Sequence, residues 1–148
     1  MVLAAMHAAC GDNLVPAERA LFSADYATTY TEVRNCRYSI EHGLIRVRVL
    51  ASPQAVAAYT TRAEPFPVDS VLLKEEYGES DDTCSGEIEG FTVMQKLEAG
   101  SSMGTLDWQW QRADFDATPT STSVKGCIHC HTDCGVAPDG YDGTCTVP

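Results

Sequence analysis

The run Cys127-Ile128-His129-Cys130-His131 constrains this chain more than any other stretch. Two thiols three residues apart, followed at once by an imidazole, form the C-x-x-C-H attachment signature of a c-type haem. The spacing has a chemical reason: the thiols add to the two vinyl groups of one haem while the adjacent imidazole turns onto the iron. Cys127 and Cys130 are therefore expected as thioether anchors and His131 as the proximal iron ligand.

A zinc site is the competing reading, since Cys127, His129, Cys130, His131 and Cys134 offer soft and imidazole ligands within eight residues. Zinc sites usually divide their ligands between two separated pairs, and the chain has no second C-x-x-C or H-x-x-x-H. The spacing favours haem, with His129 a solvent-facing spacer.

The chain of 148 residues suits one domain large enough to enclose a single haem. No run of 18 or more apolar residues is present, so no spanning helix is expected. The net charge of −11 and pI near 4.6 make nucleic acid and anionic membranes poor partners. A basic redox partner protein or a small uncharged ligand fits better.

Seven cysteines point to an oxidising compartment, as does covalent haem attachment. Residues 1–12 are read as the remnant of an export signal or a disordered N-terminus, and residues 13–148 as one domain. The expected location is periplasmic, with a lipid anchor at Cys10 or an extracellular location as alternatives. With Cys10, Cys127 and Cys130 set aside, four cysteines remain and allow three pairings. Cys134 and Cys145 are close together in a turn-rich tail and are expected to bridge, which leaves Cys36 with Cys84.

Spacing predicts a helix within 13–33, from Ala17, Ala20, Leu21 and Ala24. Strand patterning covers 30–50, where Ile45, Val47 and Val49 alternate with Arg46 and Arg48. A helix is expected over 53–61 with Pro53 in its first turn. Strands follow over 71–77, 91–97 and 107–112, the last with Trp108 and Trp110 on one face, and 113–126 is expected to be loop. Electron-transfer cytochromes with an early motif and a downstream Met are excluded, as no Met follows His131. Four-helix cytochromes do not fit the alternating β-branched runs. The fold class is β-rich α+β: an antiparallel sheet with a few short helices packed around one covalently attached c-type haem.

Three segments carry a resemblance to a known family: Val47-Arg48-Val49-Leu50-Ala51-Ser52-Pro53, the stretch Phe66-Pro67-Val68-Asp69-Ser70-Val71-Leu72-Leu73-Lys74-Glu75, and a C-terminal C-x-x-C-H after a Trp-bearing strand. From about Tyr30 to His131 the chain resembles the cytochrome P460 family and its relative cytochrome c′-beta. The resemblance implies a β-rich homodimer with a five-coordinate haem c iron. Lys74 matches the lysine that the P460 branch bonds to the porphyrin; a strand-end lysine reaching to water is the alternative. Burial in an apolar pocket would help such an amine to become a nucleophile.

The resemblance also implies chemistry on hydroxylamine or nitric oxide, with a distal glutamate taking up protons. At the matching position stands Thr92, whose hydroxyl can hydrogen-bond a ligand but cannot serve as a base near neutral pH. Phe91 is placed beside the haem, and Arg46 and Arg48 are either solvent-facing or partners of its propionates. Three functions follow: a hydroxylamine or nitric oxide oxidoreductase, a nitric oxide binder without turnover, and an electron carrier in which Met94 closes the sixth iron position.

Overall fold

A computed structural model describes residues 19–122 and 124–145. The expectations for residues 1–12, Cys10 included, lie outside the described residues. Six strands, β1 (Thr31–Ser39), β2 (Ile45–Ala51), β3 (Val71–Tyr77), β4 (Ile88–Lys96), β5 (Trp108–Asp114) and β6 (Pro119–Ser121), follow one another across one antiparallel sheet in chain order. Helices are few: α1 (Tyr26–Thr29), α2 (Val56–Thr61) and α3 (Lys125–Cys134), with one 3₁₀ turn at Met103–Thr105. The β-rich α+β class read from the sequence is the class observed.

Strand β3 lies at the centre and is buried at every position but Lys74. Because successive side chains point to opposite faces, each strand feeds two separate cores. The inner face holds Ala51, Leu72, Met94, Trp108 and Trp110, covered by α2 through Ala58 and Tyr59 and by α3 through Cys127 and Ile128. The outer face holds Leu50, Val71, Leu73, Phe91 and Val93 under Phe22 from the N-terminal segment. Two-sided burial is why Val71-Leu72-Leu73 reads as a continuous apolar run.

The short helix expected within 13–33 does not form at Ala20, Leu21 or Ala24. Instead Leu21 N–H donates to Gln111 Oε1 at 2.9 Å and Gln111 Nε2 donates to the Arg19 carbonyl at 3.0 Å, which holds this stretch against β5. Among the described residues before β1, the helical turn is α1. The segment expected to be loop, 113–126, contains the end of β5, all of β6 and the first two residues of α3. Helix α2 ends where Arg62 takes φ 53°, a left-handed stop.

Two disulfides close the fold: Cys36–Cys84, Cα–Cα 5.5 Å, and Cys134–Cys145, Cα–Cα 4.9 Å. The first ties β1 to the β3–β4 loop across 48 residues. In the chain-entropy model a loop of that length is worth about 4 kcal/mol. Replacing both Cys36 and Cys84 by Ser should lower unfolding stability by roughly that amount in denaturant titrations; an unchanged midpoint would contradict the assignment.

Candidate functional site

Helix α3 brings Cys127, Cys130 and His131 to one side through their i, i+3, i+4 spacing. Cys127 and Cys130 are free thiols, the first partly buried against the inner core and the second exposed. The His131 ring packs edge-on to Trp110, centroids 4.8 Å apart. Its Nδ1 lies 2.6 Å from the Gly143 carbonyl oxygen. A carbonyl only accepts, so the proton sits on Nδ1 and Nε2 keeps a free lone pair. Burial pushes the His131 pKa down, the Gly143 hydrogen bond opposes this, and the Lys74 charge adds to the fall. The neutral, ligating form is thereby favoured. His129 points outward and meets only Asp133 at 3.6 Å, matching its reading as a spacer.

The tail after α3 is what holds the imidazole. Trp108 Nε1 donates to the Asp142 carbonyl at 2.8 Å, while the Asp142 carboxylate receives Lys96 Nζ at 2.5 Å and Phe66 N–H at 3.0 Å. The Cys134–Cys145 bridge fastens the tail from its other end. Gly143, at φ +85°, fits between them: a Cβ there would lie 2.6 Å from Trp108 Nε1.

Opposite α3 the sheet presents a single cross-strand row. Arg34 faces Val49, Val49 faces Lys74, Lys74 faces Thr92, and Thr92 faces Arg112. Burial pushes the Lys74 pKa down to about 8, against the pull of Glu76 and Cys127, and Arg112 and Arg34 lower it further. An amine with that pKa has a substantial neutral fraction at mildly alkaline pH, the form required of a nucleophile. Its coupling to Cys127 and His131 sets Lys74 and the α3 motif around one site.

Two places along β3, on the same face as Lys74, lies Glu76, 7% exposed. It accepts a hydrogen bond from the Thr92 hydroxyl and an ion pair from Arg112 at 2.9 Å. From sequence, Glu75 and Glu76 alike are ordinary neighbours of Lys74, with no role of their own. Strand alternation was the signal that separates them, since it turns Glu76 inward with Lys74 and Glu75 outward to Arg48 and Tyr77. His42, from the β1–β2 loop, also reaches this region: burial pushes its pKa down to about 4, aided by Lys74, His131 and Arg112.

Several expected site residues lie elsewhere. Phe91 is not beside Lys74; it falls on the outer face, with Phe22 and Tyr26 rings 5.1 Å and 5.6 Å away. A one-residue step from Thr92 reverses the face, which is the physical reason. Arg46 and Arg48 are also outward, engaged with Asp82 and Glu75. Cys134, offered as a zinc ligand, is bridged, and among the described residues no three His, Cys, Asp or Glu side chains converge as a metal cluster.

Two polar atoms of inner-face residues are buried without a hydrogen-bond partner, Arg34 Nε and Trp110 Nε1. Orphaned donors on a face that also meets free thiols, an open imidazole nitrogen and apolar walls fit a large, mostly apolar group that carries its own acceptors. A model of the family described as cytochrome P460 matches residues 24–137, which takes in β1 to α3. The chain belongs to the cytochrome P460 family. It is accordingly a cytochrome with a haem cofactor. Among curated proteins no match to this cytochrome is found.

In this cytochrome the substitution Gly143→Ala should cost about 1–3 kcal/mol, because a non-glycine residue is strained at that φ and its methyl meets Trp108. Thermal unfolding of the haem-loaded protein measures this. A midpoint equal to that of the natural protein would contradict the role given to the tail.

Proposed function

We propose that this cytochrome is an exported mono-haem protein whose haem is bonded to Cys127, Cys130 and Lys74, ligated at iron by His131, and left open at the sixth position for hydroxylamine or nitric oxide. The observation that carries the reading is the shared inner face, where a Lys74 amine with pKa near 8 and the Glu76–Thr92–Arg112 group stand with the α3 motif. When bound, the haem supplies the redox centre. The chain's own residues orient the ligand-binding face, exclude water and accept protons.

Support for an open sixth position comes from Met94. Its methyl would lie 3.5 Å from a Cβ on Gly143, the residue whose carbonyl accepts the His131 Nδ1–H hydrogen bond. Met94 thus packs near the residue that engages Nδ1, and among the inner-core side chains, which argues against the electron-carrier reading. Support for export comes from the two disulfides, which persist in oxidising compartments.

Oxidation of hydroxylamine to nitric oxide releases protons together with electrons, so it needs a proton acceptor as well as an electron acceptor. Thr92 is no base, but its hydroxyl donates to Glu76, a carboxylate on the facing strand. Glu76 therefore takes the proton-accepting role and Thr92 positions it. Electrons pass to a redox protein of basic surface, which a chain of net charge −11 favours. Binding of nitric oxide without turnover is the second reading, and it draws on the Arg112–Glu76 ion pair, which competes for the same carboxylate.

Glu76→Gln should slow hydroxylamine oxidation by about 10²- to 10⁴-fold, the usual worth of a positioned base. Nitric oxide affinity, read by optical titration of the ferrous protein, should stay within a few-fold. Nitric oxide binding with no turnover in the natural protein selects the second reading. No ligand binding in either oxidation state contradicts both.

A further inference from the structure

Arg34 stands apart from the other charged groups of the inner face. Arg112 is paired with Glu76, and Lys96 with Asp142. Arg34 has no such carboxylate partner among the described residues, and its Nε is buried without a hydrogen bond. The groups that face it add positive charge: Arg37 from its own strand, Arg62 from the C-cap of α2 and Lys74 from β3, with the Tyr59 hydroxyl beside them. Burial lowers the Arg34 pKa, and Arg37 and Arg62 lower it further. A guanidinium that is partly desolvated among cations is costly unless an anion meets it. In a chain of net charge −11 the lack of a carboxylate at this place is notable, because acids are plentiful elsewhere.

The anion is supplied by the chemistry of the site. A haem is apolar apart from its two propionates, and these leave the ring at the edge opposite the vinyl groups. Cys127, which takes a vinyl group, lies on α3, whose His131 packs on Trp110 of β5. Arg34 lies on β1, at the far end of the row that runs through Lys74 and Thr92 to Arg112 on β5. Four strand spacings, about 19 Å, separate the two ends. A ring tethered beside β5 and laid along the row turns its carboxylates toward β1.

We propose that Arg34 binds a haem propionate, its Nε–H donating to the carboxylate. The planar fork of arginine suits a carboxylate in two-point contact. The inference rests on the haem reading above and gives a role to a residue that no local sequence pattern singles out; Arg46 and Arg48, the arginines considered from sequence, face the other way.

The test uses the full haem-loaded protein, in which the thioether bonds retain the haem in every variant. Arg34 favours the ionised propionate, so removing it should raise the propionate's pKa. In Arg34→Gln the pH at which the reduction potential inflects should rise by about one unit or more. A superimposable potential–pH profile would overturn the proposal. Arg34→Lys, which keeps the charge and loses Nε, serves as a second variant should the Gln form not fold. Its inflection should stay close to natural while the propionate-bending band in resonance Raman spectra moves; a band left unmoved overturns the Nε contact. Arg34 could instead hold a free anion, and titration with nitrite separates the sources: a saturable response in the natural protein that Arg34→Gln abolishes overturns the propionate assignment. These readouts do not depend on hydroxylamine or nitric oxide, so the failure of either proposal is seen separately.

Discussion

Strand β3 has neighbours on both edges and cover on both faces, and this leaves each of its side chains one destination. Leu72, Lys74 and Glu76 must enter the inner face, Val71, Leu73, Glu75 and Tyr77 the outer. A slip of one residue would exchange these sets and put two carboxylates and a lysine in the wrong cores. The outer set solves its buried charge within the sheet: Glu75 accepts from Arg48 at 2.7 Å and from Tyr77 at 2.7 Å. The inner set is only partly solved, and the donors left over there are what mark the site.

The inner face is cationic in a strongly acidic protein. Arg34, Lys74 and Arg112 share a row, and Glu76 alone faces them from β3. Burial of such charge is tolerated when the pKa shifts or when counter-charge arrives. Lys74 follows the first course and Arg34, on our reading, the second. The opposite wall is built differently: His131 is kept neutral by burial and oriented by one backbone carbonyl, so its position depends on the tail and not on a charged partner.

The sequence made a good part of this visible. The apolar run of β3, the Trp108–Trp110 alternation, the α2 segment after Pro53 and the C-x-x-C-H motif each follow from local patterns with a single physical explanation. Both disulfide pairings were also reachable, because so few cysteines remained once the motif took two. What stayed hidden depended on the third dimension. Helix α3 carries Gly126 and a mixed polar surface, so it owes its helicity to Val124, Cys127 and Ile128 docking on the inner core. Gly143 lies twelve residues from His131 and meets it only because Trp108 and Asp142 fold the tail back. Phe91 and Thr92 were read as neighbours in one pocket, whereas the pleat separates them. Glu76 and Arg34 could be recognised only with the cross-strand register, which sets them in or beside the row of Lys74.

The central claim is that α3 and β3 hold one haem between them. Denaturation and proteolysis of the haem-loaded protein, with mass analysis of the haem-bearing peptides, tests it most directly. The account predicts a single haem species joining the segment with Cys127 and Cys130 to the segment with Lys74. A haem peptide carrying the two cysteines without Lys74 would contradict the bond from β3, and haem released free of both segments would contradict the account as a whole.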